Sequence, residues 1–184
     1  MHSSVGDRPG LHAVEIRLRT VEQLFHSLDP SPFREKDLDA DAAEFIVGWA
    51  RELPRDAALE LVLHLATPLP ASHSVEGVAA AVRNYFAYRA DARSTQFREL
   101  LARGRRSLAI GVVFLATCLG LGHLLAPLTA SSPFLRVASE SVAIVGWVAM
   151  WRPLEIFLYD WWPIVAERRL LRRLARMEVR IRPA

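Results

Sequence analysis

The sequence predicts an α+β membrane protein. A small cytoplasmic α/β domain of about three strands and two to three helices is joined to a two-helix transmembrane hairpin. Three observations carry this. Ser107–Ala126, SLAIGVVFLATCLGLGHLLA, is a run of twenty residues without Asp, Glu, Lys or Arg. At about 1.5 Å rise per residue such a helix covers roughly 30 Å, the hydrocarbon thickness of a bilayer. Residues 13–19 and 58–66 alternate apolar and polar side chains, the period of a half-buried strand. Finally, Met177-Glu178-Val179-Arg180-Ile181-Arg182 repeats the pattern of Val14-Glu15-Ile16-Arg17-Leu18-Arg19, so the C-terminal strand is expected to join the N-terminal sheet, with cross-strand Glu–Arg pairs fixing its register.

Composition sets limits. The chain has 184 residues, enough for one small domain plus a membrane unit, and a formal net charge of +3 concentrated in arginines at 83–106 and 168–182; Lys36 is the sole lysine. A single cysteine, Cys118, excludes an internal disulfide and a multi-cysteine zinc site. It lies within the apolar run and is read as a small buried residue. The N-terminal MHSSVGDRPGLH has no apolar core of a signal peptide, so the first hundred residues are expected to stay in the cytoplasm.

Residues 1–12 are expected to be a mobile tail and 13–102 the cytoplasmic domain with a helical stalk. The first strand is followed by a short two-turn helix with Thr20 as N-cap and Gln23 three residues on. Asp29-Pro30-Ser31-Pro32 breaks it, and the loop through Leu38 is a solvated connection whose alternative role is to bind an unknown cytoplasmic protein partner. Asp41 and Glu44 resemble a capping box ahead of Phe45, Ile46, Trp49 and Leu53, expected to share the buried face of a helix that ends before Pro54. Asp37, Asp39 and Asp41 mimic the start of a calcium loop, but the required Gly is Ala42 and the required Glu is Gly48, so calcium is not expected there. The second strand puts Leu59, Leu61, Leu63 and Leu65 on one face and Glu60, Val62 and His64 on the other. Ser72 or Ser74 then caps a helix with Val75, Val78, Val82 and Phe86 on its apolar face. Between Val78 and Arg103 there is neither Gly nor Pro, so the helix continues as a stalk toward the first span unless it breaks at 91–95.

The hairpin is placed at 103–163, with spans of about 107–126 and 137–158. Arg103, Arg105 and Arg106 before the first span favour a cytoplasmic start. Ala116-x-x-x-Gly120, with Gly111 and Gly146, is the small-residue set expected to let the helices approach closely. Trp151, Arg152, Tyr159, Trp161 and Trp162 belong at the inner membrane interface. His123 and Glu140 are ionisable groups inside apolar segments and mark a subunit interface or an aqueous path. Glu155 and Asp160, five residues apart, fall on different faces of an α-helix and are not expected to act together.

Residues 164–184 comprise a basic amphipathic helix and the returning strand. Arg168, Arg169, Arg172, Arg173 and Arg176 are interleaved with leucines and expected to attract anionic lipid head groups; nucleic acid is the weaker rival and is not expected. The same cluster places both termini in the cytoplasm, in a bacterial inner membrane. There is no Gly-rich phosphate loop, nucleophile elbow or HExxH, and no cofactor or metal site is expected. The expected function is therefore a non-enzymatic membrane-anchored binding or scaffold module. The alternative is a homo-oligomeric pore or transport subunit.

Overall fold

The computed structural model describes residues 11–26, 36–54, 57–129 and 133–184. The expected tail at 1–10, most of the 29–38 loop and the centre of the hairpin loop lie outside these residues. The order of elements is β1 (Leu11–Leu18), a 3-10 turn (Val21–Leu24), α1 (Ala40–Glu52), β2 (Ala58–Leu65), α2 (Val75–Thr129), α3 (Pro133–Ala149), α4 (Trp151–Glu155), a π-helical turn (Ile156–Asp160), α5 (Trp161–Leu174) and β3 (Glu178–Pro183). It divides into two compact units, one formed by the chain up to Arg93 together with Ala166–Ala184, the other by Ser94–Val165.

The first unit is a mixed α+β fold around a three-stranded sheet in the order β1-β2-β3. Both pairings are parallel. Leu11 stands opposite Ala58 and Leu18 opposite Leu65, while Glu60 faces Glu178 and Leu65 faces Pro183. The C-terminal strand joins the sheet as the alternation foretold, beside β2. The two similar segments therefore occupy opposite edges, and the carboxylate that meets Arg180 across strands comes from β2: Glu60 Oε1 lies 2.8 Å from Arg180 Nε.

Alternation along the strands decides which residues share a face, but the central strand β2 is not half-buried as its period suggested: Glu60 and Val62, on the other face from its leucines, are buried too, because β2 has a neighbour on either side. Val14, Leu59, Leu61, Leu63, Leu65 and Val179 point to one face and join a single core with Ile46 and Ala50 of α1, Val78, Val82 and Phe86 of α2, and Leu171 and Leu174 of α5. The strand begins at Leu11, two residues earlier than expected. The expected two-turn helix is only a single 3-10 turn, with Val21 and Leu24 buried beneath it. Thr20 makes no side-chain cap there; instead Gln23 Oε1 accepts the Arg19 N–H at 2.8 Å, one residue before the position a capping box would use. The helix cannot lengthen because Phe25 pairs with Leu38 in an antiparallel bridge, with His26 N–H donating to Asp37 O at 2.8 Å.

α1 corrects the expected cap and face. Asp39 is the N-cap, its Oδ1 accepting from the N–H groups of Asp41 at 3.0 Å and Ala42 at 3.4 Å. The face packed on the core is that of Ala43, Ile46, Val47 and Ala50, while Phe45 and Trp49 remain outside at 44% and 41% exposure and pack on each other. Ser74 caps α2 through the Gly77 N–H at 3.0 Å. This helix runs through 91–95 without a break.

Chain exit and return are tied together within this unit. Arg93 Nη2 donates to Glu167 Oε1 at 2.9 Å, joining the α2 and α5 segments that frame the intervening residues. Arg173 Nη2 donates to the carbonyls of Pro54 at 2.9 Å and Ala57 at 2.8 Å, anchoring α5 to the connection between α1 and β2.

The Asp39→Ala variant is expected to lose about 1 kcal/mol of unfolding free energy, the usual worth of an N-cap, in denaturant titration of the full chain. Glu22 gives a pH signature. Its own backbone N–H and then the Thr20 hydroxyl hold its carboxyl below the ordinary range. Folding lowers this pKa, so its stabilisation is present above the ordinary carboxylate range and lost as pH falls through the lowered value. Glu22→Gln is expected to lower stability near neutrality, where the carboxylate's contribution is present, and to converge on the wild type as the pH falls below the ordinary carboxylate range, so that the acid limb of the stability curve is flatter.

Candidate membrane-spanning hairpin and basic helix

Two helical segments, Val75–Pro127 and Pro133–Leu174, are long and apolar enough to cross a membrane. Only 11% and 17% of their most apolar windows are buried. Ile110, Val113, Leu124, Val137, Ile144 and Val148 all stand more than half exposed. A soluble core helix would bury such a surface.

The pairing of α2 with α3 and the π-helical turn is built on glycines. Added to Gly104, a Cβ would lie 2.8 Å from Ile156 Cγ2; on Gly111, 3.1 Å from Met150 Sδ; on Gly146, 2.9 Å from Leu115 Cδ1 and 3.0 Å from Cys118 Cβ. The seam on α2 thus reads Gly104, Gly111, Cys118, a seven-residue repeat, the geometry of small-residue packing without a hydrophobic drive from lipid. The sequence reading missed Gly104, although its seven-residue spacing to Gly111 and Cys118 is visible in the chain. Gly111 and Gly146 sit in the seam. Ala116 and Gly120 do not: Ala116 is exposed and a Cβ on Gly120 would meet nothing within 4 Å. The phase of the helix explains this, because 116 and 120 lie on the side opposite 111 and 118.

His123 and Glu140 are both exposed on this unit. Gly122 and Ser139, their chain neighbours, approach each other, with Ser139 Oγ 3.6 Å from a Cβ on Gly122. Glu140 Oε1 lies 3.4 Å from Arg136 Nε on the same helix face, both side chains largely exposed.

The second segment is interrupted where proline demands it. Pro153 has no N–H to donate and its ring collides with the carbonyl of Ala149, so α3 ends at Ala149 and a new turn starts at Trp151. The π-helical turn at Ile156–Asp160 follows. It also corrects the expectation for Glu155 and Asp160. Hydrogen bonding from i to i+5 stacks residues five apart, whereas an α-helix would leave them about 140° apart. Arg152 Nη1 reaches both carboxylates, at 3.0 Å to Glu155 and 3.5 Å to Asp160, and Trp151 Nε1 donates to Glu155 Oε1 at 2.8 Å. Of the interface aromatics, Trp151, Tyr159 and Trp162 project outward, while Trp161 donates its Nε1–H to Phe157 O at 2.9 Å.

The basic segment of α5 and the turn after it divides its arginines by role. Arg169, Arg172 and Arg176 are exposed. Arg173 is held by the two carbonyls described above, and Arg168 is half-buried with its Nε enclosed. The expected five-arginine lipid surface is therefore reduced to three free side chains. The apolar side of the same helix, at Leu171 and Leu174, turns these positions inward.

Comparison with known protein families, curated proteins and solved structures finds no match.

Replacing Gly146 by Val is expected to cost about 1–3 kcal/mol through overpacking against Leu115 and Cys118, lowering the unfolding temperature in detergent. Gly120→Val is expected to leave the monomer's unfolding temperature unchanged. In the other unit, Arg173→Gln is expected to destabilise by about 1.5–3 kcal/mol, since two charge-assisted hydrogen bonds to backbone carbonyls are lost, while Arg169→Gln stays near the wild type in the same denaturation assay.

Proposed function

We propose that this chain is a small integral membrane protein in which a helical hairpin anchors a cytoplasmic α/β module that binds a partner rather than catalysing a reaction. The observation that carries it is the exposed apolar surface of both segments, with only 11% and 17% of their windows buried. Lipid is the solvent that such a surface requires. Orientation follows from the arginines: Arg98, Arg103, Arg105 and Arg106 precede the first span and Arg169, Arg172 and Arg176 follow the second, which favours both flanks on the cytoplasmic side of a bacterial inner membrane. The exposed Arg169 and Arg172 of α5 and Arg176 in the turn after it attract anionic head groups at roughly 1 kcal/mol each near the surface.

A homo-oligomer is the second reading, favoured by one feature. Arg136 and Glu140 form an exposed ion pair on an otherwise apolar helix, and ionisable groups in spans usually face another protein surface or water.

Washing membranes with alkaline carbonate tests the anchor directly. Retention of the full chain in the pellet, with extraction only by detergent, is the expected result; release into the carbonate supernatant refutes it. The mass of the detergent-solubilised protein separates the two readings. A monomer is expected for the anchored module, and a defined multimer that dissociates on Glu140→Ala would replace it with the oligomer.

A further inference from the structure

Helix α1 carries two stripes. Ala43, Ile46, Val47 and Ala50 recur at i, i+3, i+4 and i+7 and join the core. Asp41, Glu44, Phe45, Gly48, Trp49 and Glu52 recur at i, i+3, i+4, i+7, i+8 and i+11 on the other side, and all six are exposed. The outer stripe thus has the period of a packing face but remains open. Phe45 and Trp49 keep 44% and 41% of their surface exposed, with ring centroids 6.1 Å apart. Together with Val75 and Tyr88 they are the large apolar side chains exposed on the first unit among the described residues.

Gly48 lies midway along this stripe. Glycine inside a helix is destabilising relative to alanine. A Cβ on Gly48 would meet nothing within 4 Å, so no neighbour within the fold requires its absence. The missing side chain leaves a gap beside the aromatic pair, with Glu44 one turn before it and Glu52 one turn after it, where an outside group can approach the helix backbone. The surroundings of the gap are acidic. Asp41, Glu44 and Glu52 have no ion-pair partner among the described residues, and Arg51 is the one cation of the helix. Carboxylates around exposed rings repel the phosphates of anionic lipid and nucleic acid. They suit a cationic partner, whose ammonium or guanidinium groups can meet both a carboxylate and a ring face.

We infer that the outer face of α1 docks a basic amphipathic helix of another protein. The apolar side of that helix covers Phe45 and Trp49, it comes closest at Gly48, and its lysines or arginines pair with Asp41, Glu44 and Glu52. A helix is the occupant that fits a straight stripe of about three turns, roughly 16 Å at 1.5 Å per residue, with a glycine at the point of closest approach. Exposed Trp and Phe supply the aromatic anchors on which binding energy concentrates. This assignment rests on the reading of the first unit as a partner-binding module and names the chemistry of that partner.

The test is calorimetric titration of the full chain in neutral maltoside micelles with three probes: an amidated helical peptide of alanine, leucine and lysine about eighteen residues long, the same peptide with glutamate for lysine, and dihexanoyl phosphatidylglycerol. Saturable binding of the lysine peptide is expected, at least about tenfold tighter than either other probe. Phe45→Ala/Trp49→Ala and Asp41→Asn/Glu44→Gln/Glu52→Gln are each expected to weaken it by about tenfold or more while retaining the wild-type circular dichroism, since all five side chains are exposed. Gly48→Ala separates docking from folding: it is expected to raise the unfolding temperature and yet weaken the peptide by about fivefold or more. Glu76→Gln, which removes an exposed carboxylate on α2, is expected to leave the affinity unchanged. Absence of saturable binding, equal affinity for the glutamate peptide, or an unchanged affinity in any of the three α1 variants overturns the assignment. Phosphatidylglycerol binding that is abolished by Phe45→Ala/Trp49→Ala gives the face to lipid, and a detergent-solubilised dimer that dissociates in the carboxylate variant gives it to a second copy; either result also overturns the assignment. Failed peptide binding by a chain that stays in the carbonate pellet overturns this face and leaves the anchor standing; carbonate release with intact peptide binding does the reverse.

Discussion

Everything in the first unit depends on β3 lying parallel to β2. Parallel neighbours cannot be joined by a tight turn, because the chain must travel back to the start of the sheet before the second strand can run in the same direction. Here the crossover leaves on α2, returns on α5, and contains the whole second unit between Ser94 and Val165. The hairpin is thus an insertion within a β-α-β connection, and its two ends must meet the geometry of one sheet. Arg93 and Glu167 form the ion pair at that junction. At 31% and 23% side-chain exposure it is shielded from part of the screening that makes fully exposed pairs worth little.

The same constraint explains why α5 is not free to act as a lipid-binding helix along its whole surface. Its leucines complete the core under the sheet, and Arg173 satisfies two carbonyls where the chain leaves α1. Buried carbonyls without partners are costly, so a side chain that caps them has a structural task that outweighs surface electrostatics. What remains exposed is the outer edge of the helix at Arg169 and Arg172 and the turn after it at Arg176.

Within the second unit the organising requirement is different. Its helices leave most of their apolar surface exposed, and where they meet the backbones approach closely. Gly104, Gly111 and Gly146 make that approach, and Pro153 together with the π-helical turn changes the phase of the returning segment near Ile156–Asp160. Both distortions have local causes in missing or shifted backbone hydrogen bonds. Their consequence is chemical: Arg152 comes to share two carboxylates that a regular helix would separate.

Much of this was legible in the chain itself. Alternation in Val14–Arg19, Leu59–Leu65 and Met177–Arg182 marked three strands and the side chains that share a face, because a pleated backbone sends successive side chains to opposite sides, but not that the central strand would be buried on both. The charge-free run at Ser107–Ala126 determined a helix suited to lipid. Tertiary structure alone decided the strand order, which placed the two similar segments on opposite edges and left Arg17 and Arg182 flanking His64. It also decided that Asp39 rather than Asp41 starts α1, that Gly120 faces away from the seam, and that Glu155 meets Arg152 beside Asp160. These are questions of phase and of long-range partners. Spacing within a helix says which residues share a face but not which face the core will take, and periodicity within a segment carries no information about which distant segment will lie against it.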